Sequence, residues 1–150
     1  MSLENLYREV ILDHYRHPRR RGTLEGDGVT VVDLKNPSCG DHVTLYVRQE
    51  GDRLAEVRFK GEGCSISMSS ASMMSSQVEG LTTEEAAGLV AVFLRLVQGE
   101  AIGEAWEEKL GDAVALRGVS QFPVRVKCAT LAWKALEQAL ARGSGVRPSR

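Results

Sequence analysis

Long apolar runs are missing from this sequence. No stretch of about 18 apolar residues occurs, so no transmembrane helix is expected. An excess of one charge is missing too: 19 Lys and Arg stand against 20 Asp and Glu, for a net charge of −1. That balance excludes a general nucleic-acid binder, which needs a basic surface. The first ten residues, Met-Ser-Leu-Glu-Asn-Leu-Tyr-Arg-Glu-Val, carry acids and lack the apolar core of a secretion signal. Cysteine is scarce and odd in number, with three in the chain. Without a signal, that reads as the thiols of a cytoplasmic protein and not as a disulfide framework. The 150 residues suit one domain that can bury about 68–70% of its unfolded surface without covalent staples.

What is present is concentrated in Asn36-Pro-Ser-Cys-Gly-Asp41. Gly40 allows a tight turn between Cys39 and Asp41, and Pro37 stiffens the approach. Such a turn would aim a thiol and a carboxylate at one point, which is half of a tetrahedral metal site. Cys64 and Cys128 are the other two cysteines. Three thiols and Asp41 would make a complete ligand set. The sequence separations of 25 and 64 residues contain no local metal-binding pattern, however, and buried cysteines acting as small hydrophobes are the competing reading. In favour of the site, each cysteine sits at a backbone device: a glycine turn, a glycine-rich helix start, and a helix opened by proline.

Tyr7, Val10 and Ile11, with Leu3 and Leu6, predict an amphipathic helix to about His14, broken by His17-Pro18. His14 and His17 read either as ligands or as polar residues at the helix end, the second being favoured. Arg16, Arg19, Arg20 and Arg21 read either as a solvated helix end or as a docking patch for an acidic partner. Val29–Leu34 predicts a strand. Val43, Leu45 and Val47 predict a second, and Leu54, Val57 and Phe59 a third, with a turn at Glu50-Gly51-Asp52 and a bulge near Ala55-Glu56. The expected fold class is α+β, with a three-stranded antiparallel sheet.

Gly61-Glu-Gly-Cys64 should end the last strand and start a helix, placing Cys64 at the positive end of the helix dipole, which favours thiolate. That helix, over Ser65–Val78, is rich in small residues, with Met68, Met73 and Met74 as core filler and Gly80 as its stop. Thr82-Thr-Glu-Glu85 is a capping box for a helix ended by Gly99. Residues 100–121 read as helical with breaks at Gly103, Gly111 and Gly118. Phe122-Pro123 opens a last helix whose apolar positions include Val126, Leu131, Trp133, Leu136 and Leu140. Arg125 and Lys127 flank Cys128 and are placed to stabilise a thiolate or persulfide. The domain is expected over residues 1–142, with a disordered tail over 143–150.

Asn36–Asp41, Gly61-Glu-Gly-Cys-Ser-Ile-Ser67 and Arg125-Val-Lys-Cys128 together resemble the three cysteine motifs of the IscU/NifU-N family of iron–sulfur cluster assembly proteins. Asp13-His-Tyr15 with Pro18-Arg19 resembles that family's N-terminal segment. Lys127 stands where the scaffolds carry histidine, and Phe122-Pro-Val-Arg-Val-Lys127 replaces their chaperone-docking motif. With a longer segment between Cys64 and Cys128, these departures resemble the SufU branch. The resemblance implies an α+β fold and zinc held by Cys39, Asp41, Cys64 and Cys128. It also implies persulfide sulfur accepted on Cys39 from a SufS-type cysteine desulfurase and passed to the downstream assembly machinery. Arg125 would steer the partner or the ligands. The alternative it implies is a scaffold carrying iron or a [2Fe–2S] cluster on the same residues.

Overall fold

The computed structural model describes residues 3–38 and 40–143. The element order is helix α1 (Leu3–Arg16), strands β1 (Val29–Asn36), β2 (Asp41–Glu50) and β3 (Arg53–Glu62), then helices α2 (Ser65–Val78), α3 (Thr83–Leu96) and α4 (Glu104–Leu110). A 3₁₀ helix over Gly111–Gln121 and helix α5 (Pro123–Gly143) complete it. The α+β expectation holds: the strands form one antiparallel sheet in the order β1-β2-β3.

Period-two patterning sets the sheet's buried face. Val43, Leu45 and Val47 of β2 and Leu54, Val57 and Phe59 of β3 point into the core. Arg48 pairs with Glu56 and Gln49 with Leu54, so Ala55 is the extra residue of a bulge. The bulge lets Leu54 and Val57 face the core although they are three positions apart, an odd step that would otherwise put them on opposite faces. Gly51 and Asp52 make the tight connection between β2 and β3, with Gly51 at φ 62°.

Helix α2 lacks one apolar stripe because it is buried on nearly every side. Its residues Ser67 to Ser75 are all inside, against α1, α5 and β3. Small side chains permit that closeness. Ser70 Oγ donates to the Ala129 carbonyl at 2.6 Å and accepts Trp133 Nε1–H at 3.0 Å, bonding α2 to α5. Met73 and Met74 fill the core as expected. Trp133 also stacks on Phe93 of α3, with ring centroids 4.1 Å apart, a contact worth about 0.5–1.5 kcal/mol beyond burial. The Thr82 capping box forms as read: Thr82 Oγ1 accepts Glu85 N–H, and the Glu85 carboxylate accepts Thr82 N–H.

Several expectations are corrected. Helix α1 continues to Arg16. His14 keeps its place in the last turn of α1 but is buried there, 2% exposed and hydrogen-bonded on both ring nitrogens. Helix α3 ends at Leu96, with Gly99 (φ 90°) in the turn beyond. Gly118 breaks nothing, since the 3₁₀ helix runs through it. The basic cluster is partly consumed within the fold: Arg19 pairs with Asp13 at 2.5 Å and Arg20 with Glu79 at 3.0 Å. Among the described residues no helix is long and apolar enough to cross a membrane. The expected tail lies outside the described residues, apart from Gly143, which closes α5.

Candidate metal and sulfur site

Three of the four residues singled out as ligands meet at one end of the sheet. One ligand atom each from Asp41, Cys64 and Cys128 lies within 4.8 Å of the others. Cys39, the fourth, lies outside the described residues.

Each ligand is delivered by a different element. Asp41 is the first residue of β2 and is 1% exposed. Cys64 is the N-cap of α2, with an extended backbone at φ −70° and ψ 167°. Its side chain does not cap the helix, which leaves the sulfur to face Asp41. Asp41 Oδ1 accepts the Cys64 backbone N–H at 2.9 Å, and Cys64 Sγ lies 3.9 Å from Oδ2. Ser67 Oγ sits 3.7 Å from the same sulfur and donates to the Cys64 carbonyl at 3.1 Å. Cys128 lies in the second turn of α5 and is fully buried, its sulfur 3.7 Å from the Val124 carbonyl. The small residues of α2 bring α5 close enough to complete the group.

Gly63 shows how tightly the corner is built. A Cβ there would collide with Asp41 Oδ1 and lie 2.7 Å from Ser67 Oγ, so only glycine fits against the carboxylate. Two sulfurs and one carboxylate oxygen, gathered in a buried corner, fit a thiophilic divalent metal with room for a further ligand.

The loop between β1 and β2 is held at its ends. Asn36 pairs directly with Asp41, Gly40 N–H donates to the Asn36 carbonyl at 2.9 Å, and Ser38 N–H donates to Asn36 Oδ1 at 3.2 Å. Gly40 takes φ 74°, the left-handed conformation the turn was expected to need. On the neighbouring strand positions Asp33 bonds His42 and Thr44. The His42 hydrogen bond, followed by that of Thr44, holds the Asp33 carboxyl below its ordinary value.

Arg125 does not join the ligand group. It is exposed on the first turns of α5 and borders an open groove of about 740 Å³ with Tyr7, Arg8, Ile11, Ile66 and Phe122. The groove reaches the ligand corner through Ser65, the residue after Cys64. Phe122 and Val124, on either side of Pro123, are 59% and 66% exposed. Lys127 is exposed as well.

Sequence reasoning missed two polar residues. His14 bonds Ser72 Oγ through Nδ1 and Asp112 Oδ2 through Nε2, each at 2.8 Å, tying α1 to α2 and to the 3₁₀ helix. Its position was available in the pattern, because Tyr7, Val10, Ile11 and His14 share one helical stripe. Asn36 is buried at 7% exposure beside Asp41. Only the hairpin register, which carries β1 two residues past Leu34 and starts β2 two residues before Val43, reveals that placement.

Comparison with known proteins agrees with this geometry. Residues 6–129 match the family model of the NifU-like N-terminal domain. The chain is 47% identical to the zinc-dependent sulfurtransferase SufU of Bacillus subtilis strain 168, covering 96% of this chain and 95% of that one. It is 42% identical to the iron–sulfur cluster assembly scaffold protein IscU of Streptococcus pyogenes serotype M1, covering 97% and 89%. Among solved structures, a candidate iron–sulfur cluster assembly scaffold of the SUF system from Fervidobacterium islandicum AW-1 superposes with a TM-score of 0.82 at 36% identity. That match covers 93% of this chain and 99% of the other. On its matched motifs, its fold and these relatives, the chain belongs to the NifU-like N-terminal domain family.

Proposed function

We propose that this protein is a zinc-dependent sulfur acceptor and relay in iron–sulfur cluster assembly, working with a cysteine desulfurase of the SufS type. Cys39, Asp41, Cys64 and Cys128 would hold the zinc. The observation that supports this reading most strongly is the convergence of Asp41, Cys64 and Cys128 within 4.8 Å, at the end of the loop whose sequence contains Cys39. The Bacillus subtilis relative bears the matching name, zinc-dependent sulfurtransferase. Bound zinc would supply positive charge that keeps its thiol ligands deprotonated at neutral pH.

The chain's own residues do the rest. Cys64 is held at the N-cap of α2 and Cys128 within α5, whereas Cys39 stands in the sequence beside the oxygen ligand Asp41, and it is the thiolate released to react. It attacks the terminal sulfur of the desulfurase persulfide. The desulfurase S–S bond breaks as a new S–S bond forms on Cys39, and the electron pair leaves on the desulfurase sulfur. There is no net oxidation or reduction, and attack requires an accessible thiolate. Asp41 and the helix-borne cysteines keep the corner assembled meanwhile. Arg125, at the rim of the adjoining groove, contacts the partner.

The test is desulfurase turnover with and without this protein. Turnover should rise on its addition, and Cys39→Ala should abolish the rise. Unchanged turnover with the wild-type protein contradicts the reading.

A second reading is favoured by the IscU-named relative at 42% identity. Three thiolates with Asp41 as fourth ligand would carry a [2Fe–2S] cluster, held loosely because a hard oxygen is a poor partner for it. Lys127 in place of the scaffolds' histidine favours the relay.

A further inference from the structure

The side-chain amide of Asn36 is more than nine-tenths buried. Oδ1 accepts the Ser38 N–H at 3.2 Å and so faces the loop. Nδ2 occupies the other arm of the amide, and among the described residues it has no hydrogen-bond partner. Burying an amide donor without an acceptor is costly, and such groups in folded proteins call for an explanation.

Its surroundings supply one. Asn36 and Asp41 are directly paired across β1 and β2, so their side chains share one face, with Cβ atoms about 4.5–5.5 Å apart. The orphaned donor therefore stands beside the corner where Asp41, Cys64 and Cys128 converge.

We propose that Asn36 Nδ2 donates a hydrogen bond to the anionic sulfur delivered to this corner, the terminal sulfur of a persulfide. The inference rests on the sulfur-acceptor reading above. A donor fixed in place before the sulfur arrives stabilises its negative charge without reorganisation. Asn36 transfers no proton. The S–S bond to the desulfurase breaks as the S–S bond to the accepting thiol forms, the electron pair leaves on the desulfurase sulfur, and the amide binds the charge that the transferred terminal sulfur carries as an ionised persulfide.

Two substitutions separate this role from a structural one. Asn36→Asp keeps the oxygen that accepts Ser38 N–H and loses the amine. Asn36→Ala loses both and adds no charge. Each variant is incubated with cysteine desulfurase and L-cysteine, and mass spectrometry follows the gain of one sulfur atom and its survival after cysteine is removed. Zinc content and Tm are read alongside.

The proposal expects the lifetime of the bound sulfur to fall about tenfold or more in both variants, the loss of a hydrogen bond to a charged group, with zinc retained. A fall in Asn36→Ala alone would assign the residue to the turn, and a fall in Asn36→Asp alone would reflect its added charge. Either result overturns the proposal. So does a wild-type lifetime in both variants, or a loss of sulfur that follows a loss of zinc in both. If the wild-type protein gains no sulfur, the sulfur-acceptor reading itself fails.

Discussion

Asp41 and Cys64 are joined by a hydrogen bond that needs no metal: Oδ1 accepts the Cys64 backbone N–H at 2.9 Å. The bond links the start of β2 to the N-cap of α2. The two candidate ligands, one oxygen and one sulfur, are thus fixed relative to each other before anything binds, and their elements meet only because β3 returns the chain to the Asp41 end of the sheet.

Asp41→Ala is expected to weaken zinc binding by more than about tenfold, measured by competition with a chromophoric chelator. Asp41→Asn retains an acceptor for Cys64 N–H but removes the charge. Its zinc affinity should fall too, while its apo-protein Tm stays near wild type and that of Asp41→Ala drops. Unchanged zinc affinity in both variants would remove Asp41 from the ligand set.

Gly63→Ala should damage the same corner by overpacking. The added methyl collides with Asp41 Oδ1 and crowds Ser67 Oγ, both in a buried site. A cost of about 1–3 kcal/mol is expected, read by urea denaturation, together with lowered zinc affinity. Gly118→Ala is the control. Nothing lies within 4 Å of its Cβ, so the change should be neutral or stabilising by about 0.4–1 kcal/mol.

His14 should matter for stability and not for metal. Replacing it with Leu removes both 2.8 Å hydrogen bonds, to Ser72 and Asp112, and buries an apolar group against the Ser72 hydroxyl. About 1–3 kcal/mol should be lost. At this chain length each kcal/mol corresponds to about 2–4 °C in Tm. Zinc stoichiometry should stay at the wild-type value. A Tm equal to wild type would show that α1 is held by its apolar face alone.

How legible this molecule was in its sequence depended on which interactions encode each part. The sheet could be read, bulge included, because one face is buried and the period of two is local. The cysteine devices could be read because glycine and proline constrain the chain where they stand: Gly40 takes positive φ, and Pro123 opens α5. The segment at 111–121 was misread at Gly118, since glycine permits a break without requiring one. The helical stripe placed His14 on the buried face but could not show its partners, and Asn36 was invisible as a buried group, because what surrounds each is set by the fold and not by local pattern. His14 finds Ser72 and Asp112, 58 and 98 residues away. Asn36 acquires its place only from the register that sets it opposite Asp41.

The most direct test of the central claim is the metal and acid-labile sulfide content of protein purified without oxygen. A sulfur relay built on Cys39, Asp41, Cys64 and Cys128 should be colourless, with about one zinc per chain and no labile sulfide. Iron with matching sulfide and a visible charge-transfer band would contradict it and make this chain a cluster scaffold.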